Sequence, residues 1–319
     1  MLFFYILIFL FSLFLLYFAS NWLVKSLAEI ARFLHWREFV VAFLMMAFVG
    51  ALPNLFVGVF SALDKIPQLS FGEVVGGNVV DLTLAVALAT LIAKGLPAKS
   101  QVIQKSAIFT LFVAILPLLL ILDGKLGRGD GILLLICFVF YLFWLFSRKE
   151  RFTKIYEQEN LPIINKFRTF IKNLGKAILG MVILLMAAKG IVDSACWFSQ
   201  RLEVSPALIG ILVVGIGNAL PELYFAVSSA RAGQNWMILG DLMGSIVAPS
   251  TLVLGIVSLI YPIKISDFSL FAIGRFFLII SALFFFIFVR TDKKITKREA
   301  LFLLGIYILF VICEIFDKI

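Results

Sequence analysis

Runs of about twenty apolar residues, separated by short polar breaks, make up most of this chain, and a run of that length crosses a bilayer as a helix. Ten such runs predict ten helices, over roughly 2–30, 38–63, 70–94, 103–122, 129–147, 174–199, 206–230, 236–260, 267–290 and 297–316. The breaks hold turn-forming residues, as at Asp64-Lys65-Ile66-Pro67, Lys94-Gly95-Leu96-Pro97, Asp123-Gly124-Lys125 and Tyr261-Pro262. The longest polar stretch, Arg148 to Lys172, separates five helices from five. The pattern therefore predicts a five-helix unit over 1–147, a cytoplasmic linker over 148–173 and a second five-helix unit over 174–319.

The two units repeat one another at a constant offset of 168 residues, without a gap from about 19 to 92. Ala51-Leu52-Pro53-Asn54-Leu55 aligns with Ala219-Leu220-Pro221-Glu222-Leu223, and Gly72, Gly76 and Thr83 align with Gly240, Gly244 and Thr251. Apolar composition alone produces chance matches of Leu and Val, but not matched Pro and Gly at one offset. Equivalent positions lie five helices apart. Five is odd, so the second copy enters the membrane from the opposite side. The predicted architecture is all-α and integral to the membrane, with ten transmembrane helices in two inverted-topology repeats, an arrangement typical of alternating-access secondary transporters.

Composition agrees: 62% of residues are hydrophobic and only 15% charged, too little polar surface for a soluble domain of this size. The net charge of +9 raises the possibility of a nucleic-acid partner. The placement of the basic residues excludes it. Nineteen of the 28 lie in the central stretch and the odd-numbered loops, against six on the other side. That asymmetry is a topology signal, which puts the central stretch in the cytoplasm and both termini outside. The first apolar run lacks a basic leader and an obvious cleavage site, so it reads as a retained helix and not a signal peptide. Cys137, Cys196 and Cys313 lie in apolar runs without disulfide or metal spacing and read as packing residues. The one histidine, His35, stands between Leu34 and Trp36 without a second ligand nearby, and no phosphate-binding loop is visible. We therefore expect no enzymatic activity and no resident cofactor.

The chemistry concentrates in the second and third helix of each repeat. Gly50-Ala51-Leu52-Pro53-Asn54 and Gly217-Asn218-Ala219-Leu220-Pro221-Glu222 interrupt a helix in mid-span, where Pro removes an N–H and frees a carbonyl one turn back. Backbone freed at that depth needs a partner inside the protein. Glu222 is a carboxylate at mid-helix, which costs about 3 kcal/mol on insertion scales and marks a functional position by default. The alternative is a structural pair with an interior base, Lys25 or Lys189. Asp81 is likewise intramembrane, and Gly72, Gly76 and Gly77 leave room for a neighbouring helix to approach closely. Glu73 and Asp241, nearer their helix starts, read as acids favoured by the positive end of the helix dipole.

At these residues the sequence resembles the cation/calcium exchanger superfamily and, within it, the prokaryotic sodium/calcium exchangers. The resemblance covers the helix count, the orientation and both repeats. It rests most firmly on Gly217, Pro221, Glu222, Gly240, Asp241, Gly244 and Ser245. It implies a central metal site in which Glu222 is a ligand and Asn54 holds the place of a second glutamate. It further implies backbone carbonyl donors at Gly50 and Asn218, Asp81 where the family has Asn or Asp, and Ser245 as the motif serine. Pro249 stands where the family has Asn or Asp, and Gly77 and the missing Thr-Ser pairs remove hydroxyl ligands expected for sodium. The expected function is a secondary antiporter in the plasma membrane of a prokaryotic cell, serving calcium homeostasis, with calcium or another divalent cation exchanged for sodium. The first and sixth helices would slide against the rest. Proton coupling, or a non-transporting homologue acting as scaffold or sensor, are the alternatives. The expected partners are metal cations and the lipid bilayer; oligomeric state is not fixed by the sequence.

Overall fold

A computed structural model describes residues 2–33, 51–147, 163–231, 233, 235–265 and 271–316. The described residues form ten helical segments in the order expected, which we label α1 to α10. They are α1 (Leu2–Phe33), α2 (Leu52–Leu63), α3 (Gln68–Ile92), α4 (Gln101–Leu120), α5 (Arg128–Phe146), α6 (Ile163–Leu202), α7 (Pro206–Arg231), α8 (235–260), α9 (Ala272–Arg290) and α10 (Lys297–Phe316). Seven spans among the described residues are long and apolar enough to cross a membrane, and shorter apolar segments of α1 and α2 accompany them. The outward faces of α1, α5 and α9 carry exposed Phe3, Phe11, Phe140, Phe143 and Phe276. In water such a surface would aggregate; against lipid tails it needs no cover.

One expectation is corrected. The sixth helix begins at Ile163, inside the stretch read as linker. Ile163, Ile164, Phe167, Phe170, Ile171 and Leu174 recur at helical spacing, while Lys166, Arg168 and Lys172 fill the other face. A search for apolar runs stops at those charges, although an amphipathic helix continues through them.

The offset of 168 residues recurs in the geometry. It relates α2 to Leu220–Arg231, the second part of α7, end for end. It also relates a widened π turn at Asp81–Ala85 in α3 to the one at Pro249–Val253 in α8. Within these turns Thr83 Oγ1 donates to Val79 O, and its equivalent Thr251 Oγ1 donates to Val247 O at 2.6 Å. Each hydroxyl thus serves a carbonyl one turn back. Four two-residue strands obey the same symmetry: β1 (Leu96–Pro97), β2 (Lys125–Leu126), β3 (Ile263–Lys264) and β4 (Lys294–Ile295). β1 pairs antiparallel with β4 and β2 with β3, so each pair joins one repeat to the other.

Two packing features position the site. α3 and α7 run parallel with backbones touching, because Gly72 and Gly76 of α3 lie directly against the carbonyls of Ala207 and Ile211. Gly210 and Gly215 of α7 return the contact onto the α3 backbone, at Leu69 to Gly72 and at Glu73 and Gly77. α1 and α6 form a separate antiparallel pair. Tyr5 stacks on Trp197 with ring centroids 4.6 Å apart, Phe9 meets Phe198 edge-on, and Ser12 faces Gly190. Leu13 of α1 lies over Gly217, at the break in α7.

Candidate functional site

Proline punctuation shapes the middle of the fold. α2 opens at Leu52 with Pro53 in its first turn, and the second part of α7 opens at Leu220 with Pro221 likewise placed. Leu55 N donates to Ala51 O at 2.9 Å, and its equivalent Leu223 N donates to Ala219 O at 3.0 Å. α7 therefore restarts within its span, and the described part of α2 opens at the equivalent residue. Asn54 and Glu222 sit one residue past the proline, on its first turn.

Between these restarts and the third helix of each repeat lies a small cavity. It is lined by Asn54, Glu73, Val74, Gly77, Asn78, Asp81, Gly215, Asn218, Ala219, Glu222, Ser245 and Pro249. Its free space admits about one water-sized sphere, the scale of a dehydrated ion. A second cavity adjoins it and shares Asn54, Glu222, Ser245 and Pro249, adding Ala51, Asp241 and Gly244. Asp81 and Glu222, from opposite repeats, thus face the same space. Asn54, Ser245 and Asn218 line it with them. Gly50 lies outside the described residues, as does His35.

Hydrogen bonds tie the two repeats together across the cavity. Ser245 Oγ lies 2.6 Å from Asp81 Oδ2. Asn78 Nδ2 donates to Ser250 Oγ at 2.8 Å. Asn218 Nδ2 donates to Glu73 Oε1 and lies 3.5 Å from Asn54 Oδ1. These bonds do not use every oxygen. Glu73 Oε2, Asp81 Oδ1, Asn218 Oδ1 and Glu222 Oε2 are buried without a hydrogen-bond partner. Among the described residues no Lys, Arg or His lines either cavity. Buried carboxylates without a basic partner are costly unless a cation or a proton joins them.

The donor set is all oxygen: carboxylates, side-chain amides and one hydroxyl, that of Ser245. Hard cations take such ligands, calcium accepting six to eight in flexible geometry. The carboxyl groups are spread around the cavity; no tight cluster of three occurs among the described residues. Amide and carbonyl oxygens would therefore have to complete any coordination shell.

The pairing of Glu222 with an interior lysine is not what the structure shows for Lys189. Its ammonium lies 2.6 Å from Asp64 Oδ2 and 2.7 Å from Asp193 Oδ1. The Lys25 side chain lies outside the described residues. We expect Lys189→Met to leave cation affinity within about twofold of wild type by calorimetric titration; a tenfold change (about 1.4 kcal/mol) would return this lysine to the site.

Glu73 and Asp241 are the residues that the sequence placed wrongly. Glu73 is the sixth residue of α3, past the first turn where the dipole acts, and it is fully buried against the cavity. Asp241 lines the second cavity beside Glu222. The signal was present: both repeats carry an acid at this one equivalent position, directly after a matched glycine.

The description "Sodium/calcium exchanger protein" belongs to the family whose pattern matches residues 4–147 and 172–316, which is both halves of the chain. The chain is 27% identical over 301 residues to an uncharacterized membrane protein of Methanocaldococcus jannaschii, covering 94% of this chain and 95% of that protein. It is 26% identical to the sodium/calcium exchanger MaX1 of Methanosarcina acetivorans, across 92% of this chain and 93% of that one. A solved structure of the sodium-calcium exchanger NCX_Mj, soaked with sodium and strontium, superposes with a TM-score of 0.65 at 27% identity. That match covers 98% of this chain and 99% of the other.

Proposed function

The chain belongs to the sodium/calcium exchanger family, a family of membrane cation antiporters, and on that premise we propose that it exchanges calcium for sodium by alternating access. One observation carries the reading: Asp81 and Glu222, from oppositely inserted repeats, line one cavity that offers them no basic partner among the described residues. A divalent cation neutralises two carboxylates at once. When it leaves, monovalent cations or protons must take its place, because the empty site keeps its buried charge. That requirement couples the two fluxes. In this reading Asp81, Glu222, Asn54 and Asn218 hold the ion, Ser245 orients Asp81, and Gly50 lends a backbone carbonyl.

Access changes through the α1–α6 pair. Its members pack on each other through aromatic and small residues, and Leu13 touches the core at Gly217, beside the site. Sliding the pair as a unit would move Leu13 across the break in α7 and expose the cavity to one side or the other. The distribution of Lys and Arg supports an orientation with both termini outside, and the archaeal relatives support a prokaryotic plasma membrane.

Protein reconstituted in vesicles loaded with sodium should accumulate labelled calcium when diluted into sodium-free medium, and a sodium ionophore should abolish the uptake. A single lining hydroxyl is a lean donor set for sodium, which favours protons as the second reading. Uptake driven by a proton gradient and not by a sodium gradient would establish it. Protein that neither binds nor moves calcium, sodium or manganese would end the transporter reading.

A further inference from the structure

We propose that Glu73 is a third carboxylate ligand of the transported cation and that Asn218 holds it in position; the assignment rests on the exchanger reading above and deepens it. Glu73, Gly77 and Asp81 are spaced four residues apart and share one face of α3. Gly77 has no side chain between the two acids, and a Cβ there would meet only Gly215 O, at 3.6 Å. α3 therefore presents two acidic residues, with Cα atoms about 12 Å apart along its axis, on either side of an opening into the cavity. Across that opening α7 presents Asn218 and Glu222, again four residues apart.

Glu73 is 1% exposed, and its Oε2 has no hydrogen-bond partner. Its other oxygen accepts from Asn218 Nδ2. Asn218, itself 4% exposed, has an unpartnered Oδ1 and lines the same cavity. Packing α3 against α7 does not call for a charge at this point, since the glycine contacts already bring the helices together. A glutamine would keep the bond from Asn218 at a fraction of the burial cost of an ionised carboxylate. A buried acid that faces an ion-sized space beside Asp81 and Glu222, with one oxygen free, is placed to bind a cation. The three carboxyl groups are not clustered in the structure, so the Glu73 side chain would close on a hard divalent ion as it binds, adding charge that an amide would not.

The test is Glu73→Gln in the full-length purified protein, probed with calcium chloride by equilibrium binding and by thermal unfolding. Loss of one carboxylate should raise the calcium Kd at least tenfold. It should leave the unfolding temperature without calcium equal to or above that of wild type, because a buried charge has been removed. The rise in unfolding temperature on adding calcium should shrink accordingly. Should Glu73→Gln fail to fold, Glu73→Asp, which keeps the charge but retracts it, is held to the same tenfold loss. A variant that binds calcium within twofold of wild type, or that loses stability without calcium while keeping the full calcium-induced rise, would show a purely structural glutamate and overturn the assignment. Wild-type protein that binds no calcium would overturn the exchanger reading itself, and this assignment with it.

Discussion

Glu222→Gln is expected to lower calcium transport into sodium-loaded vesicles at least a hundredfold, while the protein still folds and inserts. Glu222 lines both cavities, and its Oε2 is buried without a partner. Of the acids around the site, it is the one shared by the two spaces. Glutamine fills the same volume and removes one unit of charge. A hundredfold loss corresponds to about 2.7 kcal/mol. The new amide need not be stranded, since Asn218 Oδ1 lines the same cavity and lacks a donor. Intact expression with lost transport would separate a ligand role from a folding role. Transport at the wild-type rate in Glu222→Gln would remove the central acid, and the exchange chemistry argued from it, from this protein.

Much of this architecture was legible because a bilayer forces simple rules on a sequence. Each span must be apolar over nearly constant length, so the ten segments could be counted, and the five-helix offset dictated the inversion. The paired Gly and Pro at 53/221, 72/240 and 76/244 served as markers, and at Gly72 and Gly76 the structure gives a reason, since a Cβ there would meet the α7 backbone. The convergence of Asp81 and Glu222 was implied by the family resemblance, which assigns both to one central site. Other features had no sequence rule to expose them. The π turns at Asp81–Ala85 and Pro249–Val253 leave hydropathy unchanged; only Pro249, which cannot donate an N–H, hints at one of them. The start of α6 at Ile163 was hidden by Lys166, Arg168 and Lys172. The bond from Asn218 to Glu73 is a contact between side chains 145 residues apart. It depends on how closely α3 and α7 approach, and the resemblance assigned Asn218 only a backbone role. Lys189 shows the converse: a charge inside an apolar run invited a link to Glu222, yet two nearer acids, Asp64 and Asp193, claim it.

The close approach of α3 and α7 is also where a single methyl group should do most damage to the fold. A Cβ at Gly76 would overlap the carbonyl oxygen of Ile211 and stand 2.8 Å from that residue's carbonyl carbon and Cα. These are backbone atoms of a helix and cannot rotate aside as the tip of a side chain can. Gly76→Val adds two further methyl groups at the same point. The helices must separate along their shared seam, which opens the contacts of Gly72 with Ala207 and of Gly215 with Gly77, and draws Asn218 away from Glu73. Overpacking a tight core typically costs about 1–3 kcal/mol, and a collision with backbone belongs at or above the upper end of that range. We expect Gly76→Val to unfold or aggregate at a temperature well below wild type, by light scattering of detergent-purified protein, and to lose calcium binding together with stability. Gly305 on α10 provides the contrast, because nothing stands within 4 Å of the Cβ it lacks. Gly305→Ala should be neutral or slightly stabilising, by up to about 1 kcal/mol, through helix propensity alone. If Gly76→Val melted with wild type, α3 and α7 could not be in backbone contact, and the seam that brings Glu73 to Asn218 would have to be drawn differently.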